Sequence, residues 1–404
     1  MRKKLFICSL LISATIASHA AEPLLSVINK SLNFSIKQDS LMAIALLDQQ
    51  GKLPKTLDEN GNLLTCTQTW WTAGFFPGSL WYLYDFSKDN QLKKYAEIFI
   101  KRVEKQQYNT NTHDVGFLIN CSYGNAFYMT GDSVYKQALI NAAKSLSTRY
   151  NPVVQCIRSW NGTRWQYPVI IDNMMNLELL FAASRLTGDS KYRDIAIAHA
   201  NTTMKNHFRP DGSCFHVVSY DTITGKVVAR QTAQGYSDSS SWARGQAWAL
   251  YGYTMCYRET NDPNYLAQAE KIASFILNHK RLPNDKIPYW DFDAPNIPNA
   301  LRDASAGTII CSALIELSQY VPKHQAQRYL QVAATQIRAL SSPRYRAQLG
   351  GNGNFILMHS VGSLPANSEV NVPLSYADYY YIEALLRYRN LLLGKPLSKE
   401  LSIK

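Results

Sequence analysis

Beyond its first twenty residues the chain has no apolar run long enough to span a bilayer, so no membrane insertion is expected of the remainder. It has no block of five or six basic residues either, which leaves nucleic acid a poor partner despite a net charge of +12. Cysteines are scattered, at 8, 66, 121, 156, 214, 256 and 311, and never spaced as CxxC. That excludes the usual zinc spacings and makes buried thiols the expectation over a disulfide framework. The GxSxG elbow, HExxH, the Walker loop and a GxGxxG after a strand are all missing. Serine hydrolase, zinc protease and nucleotide enzyme therefore lack support, and no metal or organic cofactor is expected.

What is present begins with Met1-Arg2-Lys3-Lys4, an apolar stretch from Leu5 to about Ala17, and Ser18-His19-Ala20. A basic start, an apolar middle and small residues at the end read as a signal peptide over 1–20, cleaved after Ala20. The expectation is an exported protein, periplasmic or secreted, with one catalytic domain over 21–404. Removing Arg2, Lys3 and Lys4 lowers the net charge from +12 to +9. A basic exported protein suits an anionic partner, and an acidic glycan fits export better than nucleic acid. The 25 Tyr and 8 Trp suit a large core or a carbohydrate cleft equally.

A repeat governs the architecture. Four helix-like apolar segments end in a short polar turn with Asp: Phe86-Ser87-Lys88-Asp89, Thr130-Gly131-Asp132, Thr187-Gly188-Asp189 and Thr260-Asn261-Asp262. Laying helices on this unit gives inner segments at roughly 74–85, 114–130, 173–187, 244–259, 305–320 and 376–390. Outer, amphipathic ones fall at roughly 33–48, 90–106, 133–149, 190–207, 264–278 and 325–341. Six of each predict an all-α chain, an (α/α)6 barrel of six helical hairpins, with a superhelical solenoid as the alternative. Successive turn aspartates are 43, 57 and 73 residues apart, so later units carry insertions at about 151–171 and 208–243. The second insertion, with Thr222-Ile223-Thr224-Gly225-Lys226, reads as a small β-hairpin.

The residues able to do chemistry gather at the starts of the inner segments and in the insertions. Asp114 opens Val115-Gly116-Phe117, and Asp172 stands between Val169-Ile170-Ile171 and Asn173-Met174-Met175. An apolar setting raises a carboxyl pKa and makes a proton donor near neutrality, but Asp is also a favoured helix N-cap. Around them the barrel would bring Trp71, Phe75, His113, Trp160, Trp165, His216, Gln234, Arg244 and Trp248 to one end. Trp71, Phe75, Trp160 and Trp248 serve equally as core or as a wall for sugar rings, and His113 and His216 as satisfied core histidines. Arg244, on an apolar helix, needs a partner, and a ligand carboxylate would serve.

At Trp71-Thr72-Ala73-Gly74-Phe75, His113-Asp114-Val115-Gly116-Phe117, Ile171-Asp172-Asn173-Met174-Met175-Asn176 and Trp242-Ala243-Arg244-Gly245-Gln246-Ala247-Trp248, the chain resembles glycoside hydrolase family 88, the unsaturated glucuronyl hydrolases. The resemblance implies an (α/α)6 barrel acting on the anionic, 4,5-unsaturated oligosaccharides that polysaccharide lyases leave. It implies Asp172 as general acid/base and Asp114 as its supporting partner. Trp71, Phe75, Trp160 and Trp248 resemble the family's aromatic wall, and His113, His216, Gln234 and Arg244 its polar contacts. Some members carry a Ser-x-x-Ser-x-Lys sulfate motif, whereas Gly362-Ser363-Leu364-Pro365-Ala366-Asn367-Ser368-Glu369-Val370 has no lysine. The alternatives are an unsaturated rhamnogalacturonyl hydrolase on pectin fragments and an inert glycan-binding barrel.

Overall fold

The computed structural model describes residues 22–398; the signal peptide read over 1–20 lies outside them. Twelve α-helices carry the described chain. The odd-numbered ones and their partners are α1 (Leu24–Leu46), α2 (Phe75–Ser87), α3 (Asn90–Lys101), α4 (Asn125–Thr130), α5 (Ser133–Ser147) and α6 (Asn173–Thr187). There follow α7 (Ser190–Asn206), α8 (Ala243–Thr260), α9 (Pro263–Asn278), α10 (Ala304–Leu317), α11 (Lys323–Leu340) and α12 (Ser375–Leu392). Odd helices α1, α3, α5, α7, α9 and α11 form the outer layer, and even ones line the interior. Each inner helix packs on its neighbours in order, and α12 packs back on α2, so the ring closes and the solenoid is excluded.

The repeated turn has a local cause. In three of the four, a threonine hydroxyl (Thr130, Thr187, Thr260) returns to the carbonyl four residues earlier and accepts from the backbone N–H of the turn's Asp. The intervening residue takes a left-handed conformation: Gly131, Gly188 and Asn261, with Lys88 in the first turn. Then Asp89, Asp132, Asp189 and Asp262 accept from the N–H two residues on and cap α3, α5, α7 and α9. Each such cap contributes about 1 kcal/mol. The unit therefore ends one helix and starts the next with the same three residues.

One inner element departs from the expected α-helix. Gly116–Gly124 is a π-helix that runs on into α4. Its start is fixed from the next inner helix: Asn176 Oδ1 accepts from Phe117 N at 2.9 Å, and a Cβ at Gly116 would lie 2.5 Å from that same oxygen. This wider segment, common beside functional sites, fits because Gly78 of α2 lets the two backbones touch; a Cβ there would lie 2.2 Å from the Cys121 carbonyl.

The expected hairpin is present as β6 (Val217–Tyr220) and β7 (Val227–Gln231), and it gains a third strand, β5 (Pro168–Ile170), from the first insertion. Three further two-stranded pieces were not expected: β1 (Leu53–Leu57) with β2 (Leu63–Cys66), β3 (Tyr150–Asn151) with β4 (Cys156–Ile157), and β8 (Ser360–Ser363) with β9 (Ser368–Val372). They are short and belong to the rim. All six cysteines among the described residues are free and buried, as expected.

Toward the C-terminal ends of the inner helices lies a floor of buried polar groups. Arg258 of α8 pairs with Glu178 of α6 and, at 3.0 Å, with Glu316 of α10. Arg387 of α12 pairs with Glu316 at 2.9 Å and with Glu383 at 3.3 Å. Tyr82 of α2 donates to Glu383, and Asn120 of the π-helix to Glu178. Every inner element contributes to it.

Candidate active site

The six inner elements run the same way, so their N-terminal ends meet at the mouth opposite that floor. Aligned helix dipoles make such an end favourable for anions. Asp172 stands at the N-cap position of α6, but its backbone is helical (φ −56°, ψ −28°) and its side chain makes no cap hydrogen bond. The capping interpretation therefore fails for Asp172. It fails for Asp114 as well, whose carboxyl is held by the Thr112 hydroxyl at 2.7 Å and lies 3.2 Å from His113 Nε2.

The Asp172 carboxyl is buried, and Oδ2 has no hydrogen-bond partner among the described residues. Burial pushes its pKa up to about 7; the Arg244 guanidinium opposes this, and the Asp114 charge adds to it. The Trp248 indole also helps the charged form, from a geometry too loose for a formal hydrogen bond. Against the ordinary 3.8, a rise of that size disfavours the ion by about 4 kcal/mol, so desolvation wins over Arg244. At neutral pH the group is poised between donating and accepting a proton.

His216 faces it with Nε2 at 3.7 Å from Oδ2. Its Nδ1 accepts from the backbone N–H of Ala233 and Gln234, at 3.1 and 3.2 Å, which puts the ring proton on Nε2. Burial and the nearby Arg244 hold His216 well below its usual pKa, and burial lowers His113 too. Both imidazoles are neutral, so the carboxyl meets an N–H donor rather than a cation. The ring of His216 also stacks on Trp242, centroids 4.4 Å apart.

Arg244 is fully buried, and its partners are in the chain rather than only in a ligand. It reaches Asp303 at 3.2 Å and donates to the carbonyls of Val361 and Gly362. Gln234 donates to the Gly362 carbonyl as well, at 2.9 Å. The guanidinium lies over Trp242 and Tyr376, 4.4 and 5.4 Å from their centroids. Arg244 and Gln234 thus lock the β8–β9 hairpin onto the mouth.

The aromatic wall is continuous. Trp71 meets Phe117 at 5.5 Å and Tyr376 at 4.8 Å; Phe75 meets Phe117 at 5.4 Å, and Phe117 meets Trp248 at 5.2 Å. Phe75 and Trp248 are fully buried, so they back the wall, whereas Trp71 is partly exposed. Trp160 is partly exposed and joined through its backbone to Thr112, beside Asp114. The ten residues to which the resemblance gives a role thus come from elements that meet at this mouth. Sequence reasoning missed Asp303 and Tyr376, and it placed Trp242 in a motif without giving it a role. Tyr376 lies in the first turn of the last inner helix, as Phe75 does in the first turn of α2, and an aromatic residue at a helix start was a usable signal. Among the described residues, no three His, Cys, Asp or Glu cluster as metal ligands.

A closed ring of helical hairpins, with carboxyls and aromatic rings at the inner helix starts, has the layout of an (α/α)6-barrel glycoside hydrolase. The chain belongs to Glycosyl Hydrolase Family 88, whose model matches residues 49–385. An unsaturated glucuronyl hydrolase of Formosa agariphila is 50% identical over 326 residues, 80% of this chain and 81% of the relative. The crystal structure of an unsaturated glucuronyl hydrolase specific for heparin aligns with TM-score 0.88 at 46% identity, over 92% of this chain and 99% of the other. A mutant Streptococcus agalactiae unsaturated glucuronyl hydrolase complexed with dGlcA-GalNAc6S aligns with TM-score 0.78 at 30% identity, over 91% and 93%.

Proposed function

We propose that this hydrolase removes the 4,5-unsaturated uronic acid from the non-reducing end of glycosaminoglycan lyase products, with Asp172 as general acid/base. The observation that carries this reading is a buried, uncapped carboxyl with a pKa of about 7, set among neutral imidazoles and aromatic rings. Asp172 gives its proton to C4 of the double bond, and the positive charge at C5 is shared with the ring oxygen. Water then adds to C5 and returns a proton to Asp172. The resulting hemiketal opens, and the hemiacetal exposed at C1 expels the rest of the sugar.

Asp114 supports Asp172 and takes ring hydroxyls, while Trp71 and Trp160 offer faces for stacking. Arg244 and the six helix N-termini favour the uronate carboxylate electrostatically. The leader over 1–20 supports an exported, periplasmic or secreted, location.

The test is loss of unsaturated-uronate ultraviolet absorbance across a panel of lyase products, heparin-derived disaccharides first because of the heparin-specific relative. Turnover of glycosaminoglycan products is expected. Turnover of pectin fragments alone would make it a rhamnogalacturonyl hydrolase, and binding without absorbance loss an inert barrel. Asp172→Asn is expected to abolish turnover with folding retained; near-normal activity would remove Asp172 from the chemistry.

A further inference from the structure

Trp165 and Arg164 have no part in the chemistry above, yet Trp165 packs on Trp160, which stands beside Asp114. Trp160 is anchored at the mouth: its backbone bridges Thr112, and the neighbouring Ser159 carbonyl accepts from His113 N at 3.1 Å. Trp165 packs on it with centroids 5.7 Å apart, a step comparable to one pyranose unit. Its indole N–H is tied to Gln231 of β7 at 2.7 Å, so what remains to be offered is ring surface. Both rings are partly exposed. The exposed Arg164 guanidinium lies over Trp165, 4.2 Å from its centroid, and makes no ion pair among the described residues. A cation resting on an aromatic face keeps its N–H edge available to an anion.

We infer that Trp165 and Arg164 form an outer subsite for the second sugar beyond the bond that is cleaved, Trp165 stacking on its ring and Arg164 pairing with its carboxylate. The inference rests on the function proposed above. The Trp160 ring takes the first leaving sugar, and Trp165 packs on that ring. In a glycosaminoglycan every second sugar is a uronic acid, so the sugar reaching this plate carries the charge that Arg164 suits. The built step implies that substrates longer than a disaccharide gain affinity.

The experiment compares an unsaturated tetrasaccharide with the disaccharide of the same polymer. Wild-type protein is expected to show kcat/KM roughly fivefold to tenfold higher for the tetrasaccharide, the scale of one desolvated aromatic contact. Trp165→Ala should collapse that ratio toward one. Arg164→Gln, a surface change that does not threaten folding, should reduce it and remove its dependence on salt. Disaccharide turnover with no tetrasaccharide advantage overturns this inference alone, as does a ratio that survives both substitutions. Turnover of neither substrate overturns the proposed function and the outer subsite together.

Discussion

Asp172 sits where a helix is usually capped and caps nothing, and that is why its proton is available. Because its pKa is raised, the protonated form persists up to about pH 7 and is lost above it. The expected pH profile of kcat/KM therefore has an alkaline limb near 7, with activity falling as pH rises through it; a profile flat from pH 6 to 9 would contradict the assignment. Asp172 was legible because apolar residues flank it on both sides in the sequence. The partners of Arg244 were not, since Asp303 and the Val361 and Gly362 carbonyls are distant along the chain and meet it only once the ring closes. Trp242 was visible within its motif, but its stacking on His216 depends on the insertion that carries His216.

At the scale of elements, the twelve helices were readable because one three-residue turn recurs and each of its residues has a local task. The π-helix was not, because its hydrogen-bond register is set by contacts from Asn176 and from the bare backbone at Gly78. Gly78→Ala would drive a methyl into the Cys121 carbonyl and the Tyr379 ring, 2.2 and 2.7 Å from the added carbon. Overpacking of this kind costs about 1–3 kcal/mol, measurable as a lower denaturation midpoint. Because Trp71 and Phe75 lead into the same helix, KM should rise with it; unchanged stability and KM would show that the two backbones have room. The rim strands escaped the sequence reading for a related reason: β8–β9 is held by Arg244 and Gln234 rather than by a strong alternation of its own.

Across the whole molecule, the mouth and the floor divide the work. Catalysis is placed at the helix N-termini, and the floor below joins every inner element, α6, α8, α10 and α12 through ion pairs and α2 and the π-helix through hydrogen bonds. Arg387→Met should be severe, because it leaves Glu316 and Glu383 buried with less compensation, a loss of about 3–5 kcal/mol. Denaturant unfolding measures it, while the protein that remains folded should keep its KM, since the floor does not touch the mouth; a raised KM with normal stability would reverse that division. The ring also has a seam. Helix α1 packs on α12, and Arg389 near the end of α12 donates to Asn29 near the start of α1 at 2.9 Å, so the first and last described helices meet edge to edge. A circle whose seam lies between neighbours has no privileged starting point. A circular permutant that joins the two ends through a flexible linker and opens the exposed Gly188 turn should fold and retain turnover, because neither cut nor join passes through the mouth.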